Sequence, residues 1–115
     1  EKFDGLSIRV PVPNVSVSDI TAVLKKNTTI EEVNKAFIAA AESDELKNIL
    51  AVTFEELVSS DFRGDTHSAI VDLPLTNVVG GNLVKVVAWY DNEYGYAHRL
   101  VELAERAMGV VPQAD

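Results

Sequence analysis

Residues 83–96 read LVKVVAWYDNEYGY. The first eight, 83–90, are nearly all apolar, as expected for a central strand covered on both faces. Tyr96, Leu100, Leu103 and Ala107 then share one helical face, which predicts a helix over 92–108. Gly109 stands where a left-handed glycine closes such a helix. Where strand passes into helix stand Asp91, Asn92 and Glu93, flanked by Trp89, Tyr90, Tyr94 and Tyr96. A plain connection needs a glycine and something polar. This one is built to hold a planar ligand or to lock two elements together.

Just before this stretch, Gly80-Gly81-Asn82 is a hairpin signal, with short strands expected at 69–73 and 76–79 around Pro74. Residues 49–54 read as a further strand, and 58–62 as another, closed by the turn signal at Arg63-Gly64-Asp65. That tripeptide also occurs in adhesion ligands, but three residues recur too often by chance to carry a function. A short helix is expected at 43–47. Thr29 with Glu32 forms a capping-box pair ahead of Ile30, Val33, Ala36, Phe37, Ala40 and Ala41, which predicts a helix. Near the start, Leu6, Ile8, Val10 and Val12 alternate with Ser7, Arg9, Pro11 and Pro13, a strand with one buried face. A second strand is expected over 15–24, with a β-bulge where its phase slips at Ser18-Asp19. The expected fold is α+β: a mostly antiparallel sheet of six to seven short strands with two main helices packed on one face. No linker or repeat divides the chain, and residues 110–115 read as a frayed tail.

The 115 residues suit one domain or one piece of a larger protein, and 47% apolar residues are enough to line a core. Eighteen acidic against ten basic residues give a net charge of -8, which disfavours nucleic acid as a partner. No apolar run approaches a membrane span, and no secretory pattern opens the chain. Either a targeting segment lies elsewhere or the location is cytoplasmic, and the latter is the expectation. The chain starts at Glu1 rather than Met, so a preceding segment is expected as well.

The residues that carry chemistry are few. Arg9 on a rigid strand can form two parallel hydrogen bonds to a phosphate or carboxylate, or serve as an exposed or structurally paired arginine. Asp91 or Asn92 can cap the last helix. An asparagine at that mouth also offers a donor and an acceptor, which match a carboxamide. His67 and His98 have no partner at metal-ligand spacing, so no metal site is expected. The chain has no cysteine, no Gly-x-Gly-x-x-Gly loop and no Gly-x-Ser-x-Gly elbow, so no catalytic residue is assigned within it.

Three blocks, IRVPVPNVSVSD (8–19), LVSSDFRGD (57–65) with SAIVD (68–72), and VKVVAWYDNEYGYAHRLVEL (84–103), occur in a familiar order and spacing. Over nearly all of residues 2–110 the chain resembles the C-terminal part of phosphorylating glyceraldehyde-3-phosphate dehydrogenase. The related erythrose-4-phosphate dehydrogenases share this architecture, but RVPVPN and AWYDNE are more like the glyceraldehyde enzyme.

The resemblance implies that 1–115 is the C-terminal part of a catalytic domain. The Rossmann domain and the segment with the catalytic Cys and His would lie upstream. It implies NAD or NADP as cofactor, bound mainly by that missing domain, and a phosphorylated aldehyde and inorganic phosphate as substrates. A homotetramer is implied for the full-length protein. It maps Arg9 onto the phosphate-binding arginine, Asn92 onto the asparagine that orients the nicotinamide carboxamide, and Tyr96 onto an aromatic beside that ring. Glu93 is expected to be structural. Arg9 and Asn92 are then expected to converge on one cleft. The alternative is a stand-alone, non-catalytic binding or interaction module of the same fold.

Overall fold

The computed structural model describes residues 3–110. Its elements are β1 (Ser16–Val23), α1 (Ile30–Ala41), β2 (Leu50–Thr53), β3 (Ala69–Asp72), β4 (Asn77–Val79), β5 (Leu83–Tyr90) and α2 (Tyr94–Ala107). Single 3₁₀ turns at Ser59–Phe62 and Leu73–Leu75 join some of them.

The sheet is built on β5. β1 runs antiparallel along one edge of it, from Ser16 opposite Tyr90 to Val23 opposite Leu83. On the other edge β3 and β4 pair with it in succession, both antiparallel, with Val71 opposite Ala88 and Val78 opposite Val84. β2 adds outside β3 in parallel, giving the order β1-β5-β3-β2. Two parallel strands need a crossover of a dozen or more residues, and the long 54–68 connection supplies it. The architecture is therefore α+β with a mixed sheet of five strands, fewer than the six to seven expected and not wholly antiparallel. The hairpin between β4 and β5 turns at Gly80 and Gly81, both at positive φ, as the twist of a tight hairpin demands.

The core lies between the sheet and α1. Val71, Leu73, Val84, Val86 and Ala88 are buried, and Val33, Phe37 and Ile38 of α1 pack on them. α1 starts as its capping box predicts: Thr29 Oγ1 accepts the Glu32 N–H at 3.2 Å, and Glu32 Oε2 accepts the Thr29 N–H at 3.2 Å. Such a cap stabilises a helix by about 1 kcal/mol. A second cluster forms where Val15, Phe62 and Ile70 are buried together, with Trp89 against them.

Several expectations fail for physical reasons. Residues 6–12 form no strand. Leu6, Ile8 and Val10 are exposed, because alternation gives a strand only where an edge is offered, and Pro11 and Pro13 remove two donors. β1 keeps a continuous register with no bulge at Ser18-Asp19. Its phase slip arises instead because Val17 and Ile20 point to opposite faces. Residues 43–47 make successive turns rather than a helix, ending at Asn48 with φ +65°. Residues 58–62 form a 3₁₀ turn, because the Asp61 carboxylate takes the Val58 N–H at 2.8 Å and competes with any ladder.

β5 is covered on both faces only around 86–88; Leu83 and Lys85 are exposed. The two helices also differ from the expected pair on one face. α2 buries only Gly95, and its apolar stripe of Tyr96, Leu100 and Leu103 is exposed. It does end as predicted, with Gly109 at φ +68° and two closing bonds, Gly109 N–H to Arg106 O and Val110 N–H to Glu105 O. The frayed tail expected at 110–115 lies, from 111 onward, outside the described residues.

Candidate functional site

The exit of β5 is organised by Asp91, which is buried. Its Oδ1 accepts the N–H groups of Tyr94 at 2.9 Å and Glu93 at 3.1 Å, the first free donors of α2. Its Oδ2 accepts the Gly64 N–H at 2.9 Å and Asn14 Nδ2 at 3.4 Å. Its backbone carbonyl takes the Gly95 N–H at 3.0 Å. Hydrogen bonds from the Gly64 and Tyr94 amides hold the carboxyl below the usual aspartate range. Burial opposes the shift, while the Glu93 amide and the Arg63 charge add to it. Of the two capping candidates, Asp91 is the one used. Asn92 is thereby released to project, exposed, from the mouth of the helix.

An open cavity of about 280 Å³ lies at this mouth, lined by Ser68, Tyr90, Asp91, Asn92, Gly95, Tyr96 and Arg99. Two aromatic rings and one exposed carboxamide can contact a flat ring and bond an amide on it. Asn92 and Tyr96 are thus brought together, as their spacing at one helix mouth suggests. Arg9 is not among the lining residues. It sits in the exposed 3–12 segment, and no ion pair of the described residues involves it.

Trp89 serves the frame rather than the cavity. It stacks on Phe62 at 5.4 Å and 15°, and its Nε1–H donates to Asp72 Oδ2 at 2.9 Å. His67 pairs with Asp65 at 2.7 Å through Nδ1. Among the described residues no group of three or more His, Asp or Glu could hold a metal ion.

Sequence reasoning missed Arg99, Ser68 and Asn14. Arg99 follows Asn92 by seven positions and Tyr96 by three, so helical spacing could have found it. It anchors α2 by donating to Asn48 O at 3.0 Å, and Glu102 of the same helix holds its guanidinium at 2.7 Å. Ser68 and Asn14 reach the site only through tertiary contacts and leave no local signal. Val15, next to Asn14, is a β-branched residue at φ +71°. Such a conformation costs about 1–3 kcal/mol and persists only where packing enforces it. Here the burial of Val15 against Phe62 and Ile70 supplies that packing.

A mixed sheet of five strands with two helices, and an amide and aromatic rings grouped at a carboxylate-anchored helix mouth, makes this an α+β unit with one candidate site. Residues 1–92 match the family described as glyceraldehyde 3-phosphate dehydrogenase, C-terminal domain, and the chain belongs to that family. It is 56% identical over 103 residues to a glyceraldehyde-3-phosphate dehydrogenase of Geobacillus stearothermophilus, covering 90% of this chain and 30% of that protein. It is 54% identical over 104 residues to one from Synechocystis, covering 90% of this chain and 31% of the relative. A chloroplastic enzyme of Arabidopsis thaliana is 53% identical over 104 residues, covering 90% and 26%. The chain thus spans under a third of the length of these relatives. Among the described residues no helix is long and apolar enough to cross a membrane.

Proposed function

We propose that the full-length protein carrying this sequence is an NAD(P)-dependent phosphorylating glyceraldehyde-3-phosphate dehydrogenase, and that 1–115 is the C-terminal part of its catalytic domain. It would oxidise glyceraldehyde 3-phosphate with inorganic phosphate to 1,3-bisphosphoglycerate. The dinucleotide domain and the reactive thiol and histidine would come from the remainder of the protein. A cytoplasmic homotetramer is proposed with it. The observation that carries the reading is the exposed Asn92 carboxamide between Tyr90 and Tyr96, at a cavity of about 280 Å³. That space and polarity fit a nicotinamide ring with its carboxamide.

When bound, the nicotinamide supplies the hydride acceptor. Asn92 offers one donor and one acceptor, which fix which face of the ring is presented, while Tyr96 closes its edge. Orientation of this kind lowers a barrier without new covalent chemistry. Arg9, exposed and without an ion-pair partner among the described residues, would give the substrate phosphate a bidentate anchor.

Steady-state kinetics on the full-length protein test this reading. Arg9→Leu should weaken phosphate-bearing substrates by about 1.5–3 kcal/mol, roughly ten- to hundredfold in KM. An unchanged KM removes Arg9 from the site. Asn92→Ala should slow hydride transfer more than it weakens cofactor binding, and the reverse pattern would count against the orienting role.

A further inference from the structure

We propose that Asp91 is a positioning residue that couples the arm bearing Arg9 to the corner bearing Asn92. The inference rests on the functional reading above and adds to it a group that touches neither ligand.

Residues 3–14 belong to no strand or helix, yet Arg9 must be held in a defined place to anchor a phosphate. Among the described residues, the hydrogen bond joining this arm to the rest of the molecule is Asn14 Nδ2 to Asp91 Oδ2 at 3.4 Å. Immediately after it the chain turns through Val15 at φ +71° and enters β1. The direction in which the arm leaves the sheet is set at this corner. The corner is fixed by burial of Val15 on one side and by the Asp91 carboxylate on the other. The orientation of the Asn14 amide follows from charge: turned over, it would set its oxygen against a carboxylate.

The same residue pins Asn92 from both ends, through its backbone carbonyl and its carboxylate. The Asp91 backbone carbonyl accepts from Gly95, and Oδ1 accepts from Glu93 and Tyr94, so the peptide units flanking Asn92 cannot rotate. The Gly64 N–H on Oδ2 stops the carboxylate from swinging away from Asn14. One oxygen therefore serves the cofactor-facing corner and the other serves the arm. Their spacing within a single rigid carboxylate sets one relative to the other.

Two variants of the full-length protein separate this coupling from simple stability. In Asp91→Ser the hydroxyl still caps α2 but is too short to reach Gly64 and Asn14. It should raise KM for the phosphorylated aldehyde and lower kcat, each on the order of tenfold. Loss of folded protein alone would lower kcat and leave KM untouched. Asn14→Ala keeps the cap whole and frees only the arm. It should raise KM for the aldehyde severalfold while kcat and KM for the cofactor stay near the parent values. If both variants retain the parent KM for the aldehyde, the coupling is refuted; should Asp91→Ser not fold, Asn14→Ala decides alone. A parent protein that neither binds nor turns over the aldehyde and cofactor would instead overturn the functional reading, and this inference with it.

Discussion

Gly95→Ala is expected to destabilise the protein by about 1–3 kcal/mol, although alanine is the better helix former. The two effects oppose each other, and their sizes decide the sign. In a helix interior the exchange gains roughly 1 kcal/mol, and less in a first turn, where Gly95 lies. A Cβ at this position would sit 2.8 Å from the backbone oxygen of His67. That oxygen cannot recede cheaply, because the His67 N–H is held by Asp65 Oδ1 at 2.8 Å and the next amide, Ser68, donates to Ile49 O at 2.8 Å. The helix must move instead, and with it the wall of the cavity that Gly95 lines. Gly95→Val should cost more, since a branched Cβ adds two atoms to the same gap. Denaturant unfolding of the full-length protein measures this, and a Gly95→Ala variant as stable as the parent would show that the contact at His67 is loose. On the function proposed above, Asn92 would shift with the helix, and hydride transfer should fall alongside stability.

What was legible in the residues was whatever rests on local rules. The capping box at Thr29 and Glu32, the paired glycines 80 and 81, the apolar run of β5 and the glycine at 109 each specify their own conformation, and each is found. Asn92 and Tyr96 were legible as a pair because both belong to one helix mouth. Patterns that need a partner elsewhere were misleading. The alternation from Leu6 to Val12 looks the same whether or not an edge receives it. Tyr96, Leu100 and Leu103 form a stripe whatever covers them, and among the described residues nothing covers it. The apolar residues of 58–62 suggested a strand, but Asp61 offered the backbone a nearer bond. Least visible was the central role of Asp91. Two of its bonds reach residues 27 and 77 positions away, Gly64 and Asn14, and no window of sequence contains them.

Because Asp91 is held as a carboxylate, the stability it gives must depend on pH, and the direction can be worked out. The fold depresses its pKa, so the folded state favours the ionised form more than the unfolded chain does. Its contribution is then fully present above the unfolded value. It is lost as pH falls from there through the folded value. Asp91→Asn should cost about 2–4 kcal/mol at neutral pH, since hydrogen bonds to a charged acceptor are the stronger kind and the new amide sets a donor against the Gly64 N–H or Asn14. As pH falls below the ordinary aspartate value, protonation favours the unfolded chain first, so the parent's advantage shrinks and the gap between the two proteins should narrow. Glu31, whose carboxyl is also held below its ordinary value by hydrogen bonds, is common to parent and variant and cancels in the comparison. Asp19 and Lys85 meet at 2.7 Å but on an exposed strand face, where such a pair contributes at most about 1 kcal/mol. Unfolding curves for parent and variant at neutral and acidic pH provide the measurement. A gap of constant size across that range would mean that the charge on Asp91 is immaterial, and that its hydrogen-bond geometry alone holds the helix mouth in place.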